Sequence, residues 1–305
     1  MTPDQYTNQI FMLPVSHGHE LWVHDWGNKD AKTVFFFMHG GPGGSCKDKH
    51  KQPFNPKTQR VIFHDQRGSG QSMPKGRWHH NTTQDLASDI TTIADKLGIK
   101  KFVITGNSWG STLSLYYAIN NPNRVKAVVV GGVWTSSRAE DAYMNDGGWR
   151  THFPDLWQWY ASTVPKKYAE HPSDYHFERA FGKDPIAATE SIQIFGDMEA
   201  GLISLNDRHV PTPAKDFDPT GMFIEMRYMA KHCFMPDRYI FKNATKLTMP
   251  LYIVQGRYDF VCPPTTAFEL SQLVNDSSLT MVQAGHSAEH ESVTAFQLIY
   301  KNLTK

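Results

Sequence analysis

Six short runs along the chain are apolar, β-branched or aromatic at nearly every position: TVFFFMH (33–39), RVIFHD (60–65), KFVITG (101–106), VKAVVVGG (125–132), LYIVQG (251–256) and LTMVQAG (279–285). They are too short for helices and apolar on both faces, the pattern of strands buried in a parallel sheet. Between them the period changes. TTQDLASDITTIADKLG (82–98) opens on a Thr suited to cap a helix and closes on a Gly, and WGSTLSLYYAINNP (109–122) stops before a Pro. Strand and helix in alternation predict a doubly wound, mostly parallel α/β sheet. Upstream, IFMLPVSHGHELWVHDW sets a Gly between two extended runs, which predicts an antiparallel hairpin at the sheet edge.

From 134 to 245 the strand pattern disappears. DPIAATESIQIFGDMEAGLIS begins with an Asp cap and a Pro at the first helical position, then places Ile192, Phe195, Met198 and Leu202 near one face. GMFIEMRYMAKHCF does the same with Met226, Ala230 and Cys233. The expected organisation is a core made of residues 1–133 and 246–305, with residues 134–245 inserted as a helical cap. The aromatics of WRTHFPDLWQWY are expected to pack within that insertion and against the core.

Composition narrows the function more than the fold. The 305 residues are 40% hydrophobic and 20% charged, an ordinary globular balance. A formal net charge of +1 gives no reason to expect nucleic acid or an anionic membrane as partner, so a small molecule is expected instead. Cys46, Cys233 and Cys262 are far apart and lack metal-type spacing, which suits buried thiols in a reducing compartment. The first twenty residues lack a basic start followed by a long apolar run, and no later stretch could span a bilayer. The expected location is the cytoplasm.

The strongest chemical signal is G-N-S-W-G, Gly106 to Gly110, set between a strand pattern and a helix pattern. In that context it reads as a nucleophile elbow, with Ser108 on a tight strand-to-helix turn and helical N–H groups behind it. H-G-G-P-G-G, His39 to Gly44, follows another strand, where a second oxyanion donor is expected. A tetrahedral intermediate needs two converging donors, here assigned to the N–H groups of Gly41 and Trp109, with Gly40 as the alternative to Gly41. His39 is expected to order the loop. A serine needs a base and the base a carboxylate; Asp259 beyond one late strand and His286 beyond the next give the order Ser, Asp, His. His286, Glu289 and His290 also spell H-x-x-E-H, a zinc-peptidase pattern. That pattern needs both His on one face of an established helix, whereas His286 sits at a strand-to-helix junction after Gly285. No metal or organic cofactor is expected. Glu289 and His290 are read as ordinary first-turn residues.

HGGPGG, DQRGSGQS (65–72), GNSWGSTLSL (106–115), GRYDFVCPP (256–264) and AGHSA (284–288) together resemble the proline iminopeptidases, α/β-hydrolases that remove an N-terminal proline. The resemblance runs in order over most of the chain. It implies an α/β-hydrolase fold, a Ser108–Asp259–His286 triad, Arg67 as a structural support and a short peptide or amide with N-terminal proline as substrate. It further implies that Glu199, in MEAG, holds the substrate's ammonium. The family's second carboxylate lies in an R-I-E-x-H-Y-F segment; set against RYMAKHCF, that places Ala230 where the family has Glu. Asn107 stands where the family usually has Gly. On those departures, an esterase or amidase acting on substrates without a free amine stays open, as does a non-catalytic binding relative.

Overall fold

The computed structural model describes residues 1–203, 205, 213, 217–287 and 290–305. Among these, eight strands form one sheet: β1 (Thr7–Val15), β2 (His19–Gly27), β3 (Val34–Met38), β4 (Arg60–His64), β5 (Phe102–Ser108), β6 (Val125–Val133), β7 (Leu251–Gly256) and β8 (Ser277–Val282). Their order is β1-β2-β4-β3-β5-β6-β7-β8. β1 pairs antiparallel with β2, as the central Gly of that segment suggested, and β2 runs antiparallel to β4. Every later pairing is parallel.

The sheet is covered on both faces, which is why its central strands carry no polar side. All five residues of β3 are buried. On one face Phe36, Ile62 and Ile104 pack against α1 (Thr83–Lys96), α2 (Trp109–Asn120) and α9 (Pro264–Leu273). On the other, Phe35, Val103 and Val129 meet Phe296 and Tyr300 of α10 (His290–Leu303). The Thr82 hydroxyl accepts the N–H of Asp85 to cap α1, and Gly98 turns the chain away at φ +68°. β8 departs from its apolar pattern. It is the outermost strand, and several of its side chains are half or fully exposed.

Between β6 and β7 come α3 (Arg138–Asn145), α4 (Pro154–Ser162), α5 (Pro172–Ala180), α6 (Pro185–Ile203), α7 (Thr220–Ala230) and α8 (Tyr239–Lys242). Ile192, Phe195, Met198 and Leu202 of α6 are buried on one face and join Trp149 and Tyr160 in a third apolar cluster. Val261 and Cys262, from the loop after β7, belong to the same cluster and tie these helices to the sheet domain. The expected α7 face is only half right. Met226 and Cys233 are buried, but Ala230 is exposed. The helix ends at Ala230, and Cys233 reaches the core through a following turn in which His232, Cys233 and Phe234 all adopt positive φ. Among the described residues no helix is long and apolar enough to cross a membrane.

Candidate active site

Ser108 ends β5 and precedes α2 with φ +58° and ψ −131°, a backbone conformation that a non-Gly residue holds only under constraint. The constraint is steric. A Cβ on Gly110 would lie 2.2 Å from the carbonyl oxygen of Met38, so α2 packs against the end of β3 only because that position has no side chain. Gly40 belongs to the loop after β3, and a Cβ there would lie 3.2 Å from Ser108 Cβ. The loop and the elbow are therefore in direct contact.

Gln66, after β4, links the two. Its side-chain amide donates to the carbonyl oxygen of His39 at 3.1 Å, and its Oε1 accepts the indole N–H of Trp109 at 2.8 Å. The Gln66 backbone N–H donates to His39 Nε2 at 3.0 Å, which leaves His39 Nδ1 to donate to the Gly40 carbonyl at 3.1 Å. Both ring nitrogens are thus used in the neutral form. Burial depresses the basicity of His39 in keeping with this, so it orders the loop. Arg67, the next residue, is buried and binds Asp89 with two hydrogen bonds of 2.6 and 2.7 Å. It also donates to the His80 carbonyl and to Ser16 Oγ.

Asp259 and His286 come together from the loops after β7 and β8. His286 Nδ1 lies 3.0 Å from each Asp259 carboxylate oxygen. The backbone N–H groups of Val261 and Cys262 donate to Asp259 Oδ1 at 3.0 and 2.7 Å, and Gln255 Nε2 donates to Oδ2 at 3.3 Å. Burial disfavours the imidazolium of His286. The charge and hydrogen bond of Asp259, joined by the charge of Glu199, outweigh burial and raise its pKa above the ordinary histidine value. Gly132, at φ +46°, gives the ring its clearance: a Cβ there would stand 3.2 Å from His286 Cε1. Ser108 Oγ makes no hydrogen bond to His286; its side chain instead meets the Cys262 thiol. Burial, then the Asp259 charge, pushes that thiol well above the ordinary cysteine value, so it stays protonated.

Glu199 from α6 and Glu225 from α7 meet beside this group. Burial raises the pKa of Glu199, while the charge of His286 and a hydrogen bond from Glu225 pull it back. Burial raises Glu225 much further, reinforced by the negative charge of Glu199. Two carboxyls in hydrogen-bond contact hold a proton between them, and the pair titrates as a unit. A Cβ on Gly41 would be 3.1 Å from Glu225 Oε2, so the Glu225 carboxyl lies against the glycine-rich loop. A second carboxyl beside Glu199 is thus present despite Ala230, supplied by Glu225. FIEMRYM (223–229) matches R-I-E-x-H-Y-F at Ile224, Glu225 and Tyr228, and that shared spacing was the signal for Glu225. Gln66 lies within DQRGSGQS, but neither it nor Gln255 was assigned a role from the sequence.

Two cavities meet at Ser108, Glu199 and Glu225. One, of about 30 Å³, is walled by Trp109, Trp134, Met144, Met229 and Val261. The other, of about 430 Å³, is lined by Gly41, Asn107 and His286 and extends towards Lys47 and Lys49. The Asn107 side chain lies against Gly131, where a Cβ would stand 2.9 Å from its Oδ1, and it lines the larger cavity, not the smaller one. Among the described residues, the one set of three metal-capable side chains that converges is Asp259, Cys262 and His286. His290 is exposed on α10 and not among them, while Glu289 lies outside the described residues.

Residues 33–292 match the family model of the alpha/beta hydrolase fold. The chain is 34% identical to a probable proline iminopeptidase of Leptolyngbya boryana, covering 92% of this chain and 88% of that protein. It is also 34% identical to the proline iminopeptidase of Neisseria gonorrhoeae, covering 90% and 89%. The crystal structure of the Mycobacterium smegmatis proline iminopeptidase superimposes with a TM-score of 0.61 at 18% identity, covering 97% of each chain, a likeness of fold.

Proposed function

Because the chain belongs to the proline iminopeptidase family of α/β-hydrolases, we propose that it removes an N-terminal proline from short peptides by way of an acyl-enzyme on Ser108. One observation carries this reading beyond hydrolysis in general: a proton-sharing pair of carboxyls, Glu199 and Glu225, at the junction of a small apolar cavity and the nucleophile. A buried ammonium needs carboxylate partners, and a prolyl ring needs a small apolar recess beside them. The helices between β6 and β7 supply both carboxyls, which gives them the role of a cap.

In this scheme Ser108 Oγ turns from Cys262 to His286, gives up its proton to Nε2 and attacks the prolyl carbonyl. Asp259 holds the ring through Nδ1–H and stabilises the imidazolium. The oxyanion takes the N–H groups of Gly41 and Trp109. His286 then protonates the departing amine, the C–N bond breaks, and a water activated by the same imidazole releases proline from Ser108. Three buried free thiols support a reducing, cytoplasmic setting.

A substrate panel tests the proposal. Prolyl peptides and prolyl amides are expected to be cleaved with far higher kcat/KM than alanyl or N-blocked prolyl amides or short acyl esters. Preference for the blocked amide or the ester overturns it. Ser108→Ala is expected to abolish turnover in a folded protein, and a chelator to leave the rate unchanged.

A further inference from the structure

The larger cavity holds a charge arrangement that the triad and the amine site leave unused. It contains His286, the group that protonates the leaving amine in the scheme above, so it is the side from which the remainder of a peptide departs. Among its described lining residues the carboxylates are Glu199 and Glu225, and the cations are Lys47 and Lys49. The lysines follow the glycine-rich loop directly. That loop folds back on itself through a 2.6 Å hydrogen bond from Gly44 N–H to the Gly41 carbonyl, then leads into the segment that carries Lys47 and Lys49.

Neither lysine is neutralised locally. Lys51 pairs with Asp4 and Asp48, but Lys47 and Lys49 make no ion pair with any described residue. Asp48, between them, turns its carboxylate to the backbone N–H and hydroxyl of Thr2 at 3.0 and 2.9 Å. Their field reaches inward. After burial, the charges of Lys49 and Lys47 help hold His50 at a pKa of about 3, and Lys47 also depresses His39. His50 is therefore neutral and accepts the Lys47 backbone N–H at 3.0 Å.

We propose that Lys47 and Lys49 bind the terminal carboxylate of the leaving portion, so that the preferred substrates are free-acid di- and tripeptides. The proposal rests on reading Ser108 and His286 as the catalytic pair. One or two residues beyond the scissile bond extend roughly 3.5–7 Å, and two exposed lysines along that cavity serve either length. The result is a site acidic where the substrate's amine enters and basic where its carboxylate lies, complementary to a zwitterion.

The test compares kcat/KM for Pro-Ala and Pro-Ala-Ala with their C-terminal amides, in the wild type and in K47M/K49M. The free acid is expected to be favoured by about 5- to 20-fold at low ionic strength, falling towards unity at about 0.5 M salt and in the double variant. Equal rates for acid and amide in the wild type, or a preference that survives in K47M/K49M or at high salt, overturn the proposal. A second pair, 4-carboxyphenyl acetate and 4-carbamoylphenyl acetate, carries no amine on the acyl side. If prolyl peptides are not cleaved but this pair shows the lysine-dependent preference, the carboxylate site stands and the prolyl reading falls. If prolyl peptides are cleaved with no preference for the acid, the prolyl reading stands and the carboxylate site falls.

Discussion

The indole of Trp109 and the side chain of Gln66 are joined by a 2.8 Å hydrogen bond, and the same Gln66 amide holds the carbonyl of His39 at 3.1 Å. One buried side chain thus fixes the spacing between the helix that follows the nucleophile and the loop that carries Gly41. Oxyanion donors act only when preorganised, because an intermediate that must first pull them into place loses their benefit.

Gln66→Ala is therefore expected to lower kcat by roughly 10- to 100-fold with KM little changed, since removing an oxyanion donor outright costs about 10²–10³. Gln66→Glu keeps an acceptor for Trp109 but loses the donor to His39, so its loss should match or exceed that of Gln66→Ala. Steady-state kinetics at a temperature where each variant is folded make the check. A pure KM effect would count against a positioning role.

Glu225→Gln separates stability from function. Both carboxyls are pushed up by burial, so the folded protein binds a proton that the unfolded chain gives up. Stability is then full below the ordinary carboxylate range and declines as pH rises towards the folded pKa values. An amide at 225 still donates to Glu199 without titrating. The variant is expected to show a flatter Tm-against-pH curve, with Tm above wild type by a few degrees at neutral to alkaline pH, about 2–4 °C per kcal/mol. Its kcat/KM for a free prolyl amine should fall by about 10-fold or more, because an amide at 225 cannot release a proton to become a second carboxylate when the ammonium binds.

The strands and the candidate residues Ser108, Asp259 and His286 were legible for the same reason: each is recorded in local sequence. A buried strand is a short apolar run, and the elbow, the glycine-rich loop and the two late loops each carry their chemistry within a few residues of a strand end. Glu225 was harder to place. Its segment matches in two registers, and only the packing of α7 over α6 decides which carboxyl reaches Gly41. Gln66 lies in DQRGSGQS, yet its role was not readable because its partner Trp109 is 43 residues away; Gln255 likewise joins nearby Asp259 to Val133, 122 residues away. The exposed end at Ala230 depended on three consecutive positive-φ residues that helical periodicity does not foresee.

In the proposed scheme His286 sets the acid limb of the rate profile. Only the neutral ring can take the Ser108 proton, and Asp259 and Glu199 together hold its pKa above the ordinary histidine value. The midpoint of log kcat/KM on the acid side is expected above that of a free imidazole. Glu199→Gln should move it down, and an unmoved midpoint in that variant would mean Glu199 does not act on the ring. The same shift makes a stability contribution of the opposite sense to a paired carboxylate's. It is present below the unfolded histidine pKa and is lost as pH rises through the folded one.

Arg67 gives a prediction in which fold and chemistry come apart. Its guanidinium is buried, binds Asp89 with two hydrogen bonds and holds the His80 carbonyl and Ser16 hydroxyl, yet it does not line either cavity at Ser108. Arg67→Met leaves the Asp89 carboxylate buried without a cation, which is expected to cost about 3–5 kcal/mol in denaturant unfolding. Arg67→Lys should recover only part of that, because an ammonium cannot make both hydrogen bonds to Asp89 and reach His80 at once. Pairing Arg67→Met with Asp89→Leu removes the orphaned charge along with its partner, so the double variant should be more stable than Arg67→Met alone. Per folded molecule, kcat should stay within about 3-fold of wild type in all three variants, whose effect is confined to stability. A collapse of kcat in the folded double variant would instead assign Arg67 a part in aligning the loop that carries Gln66.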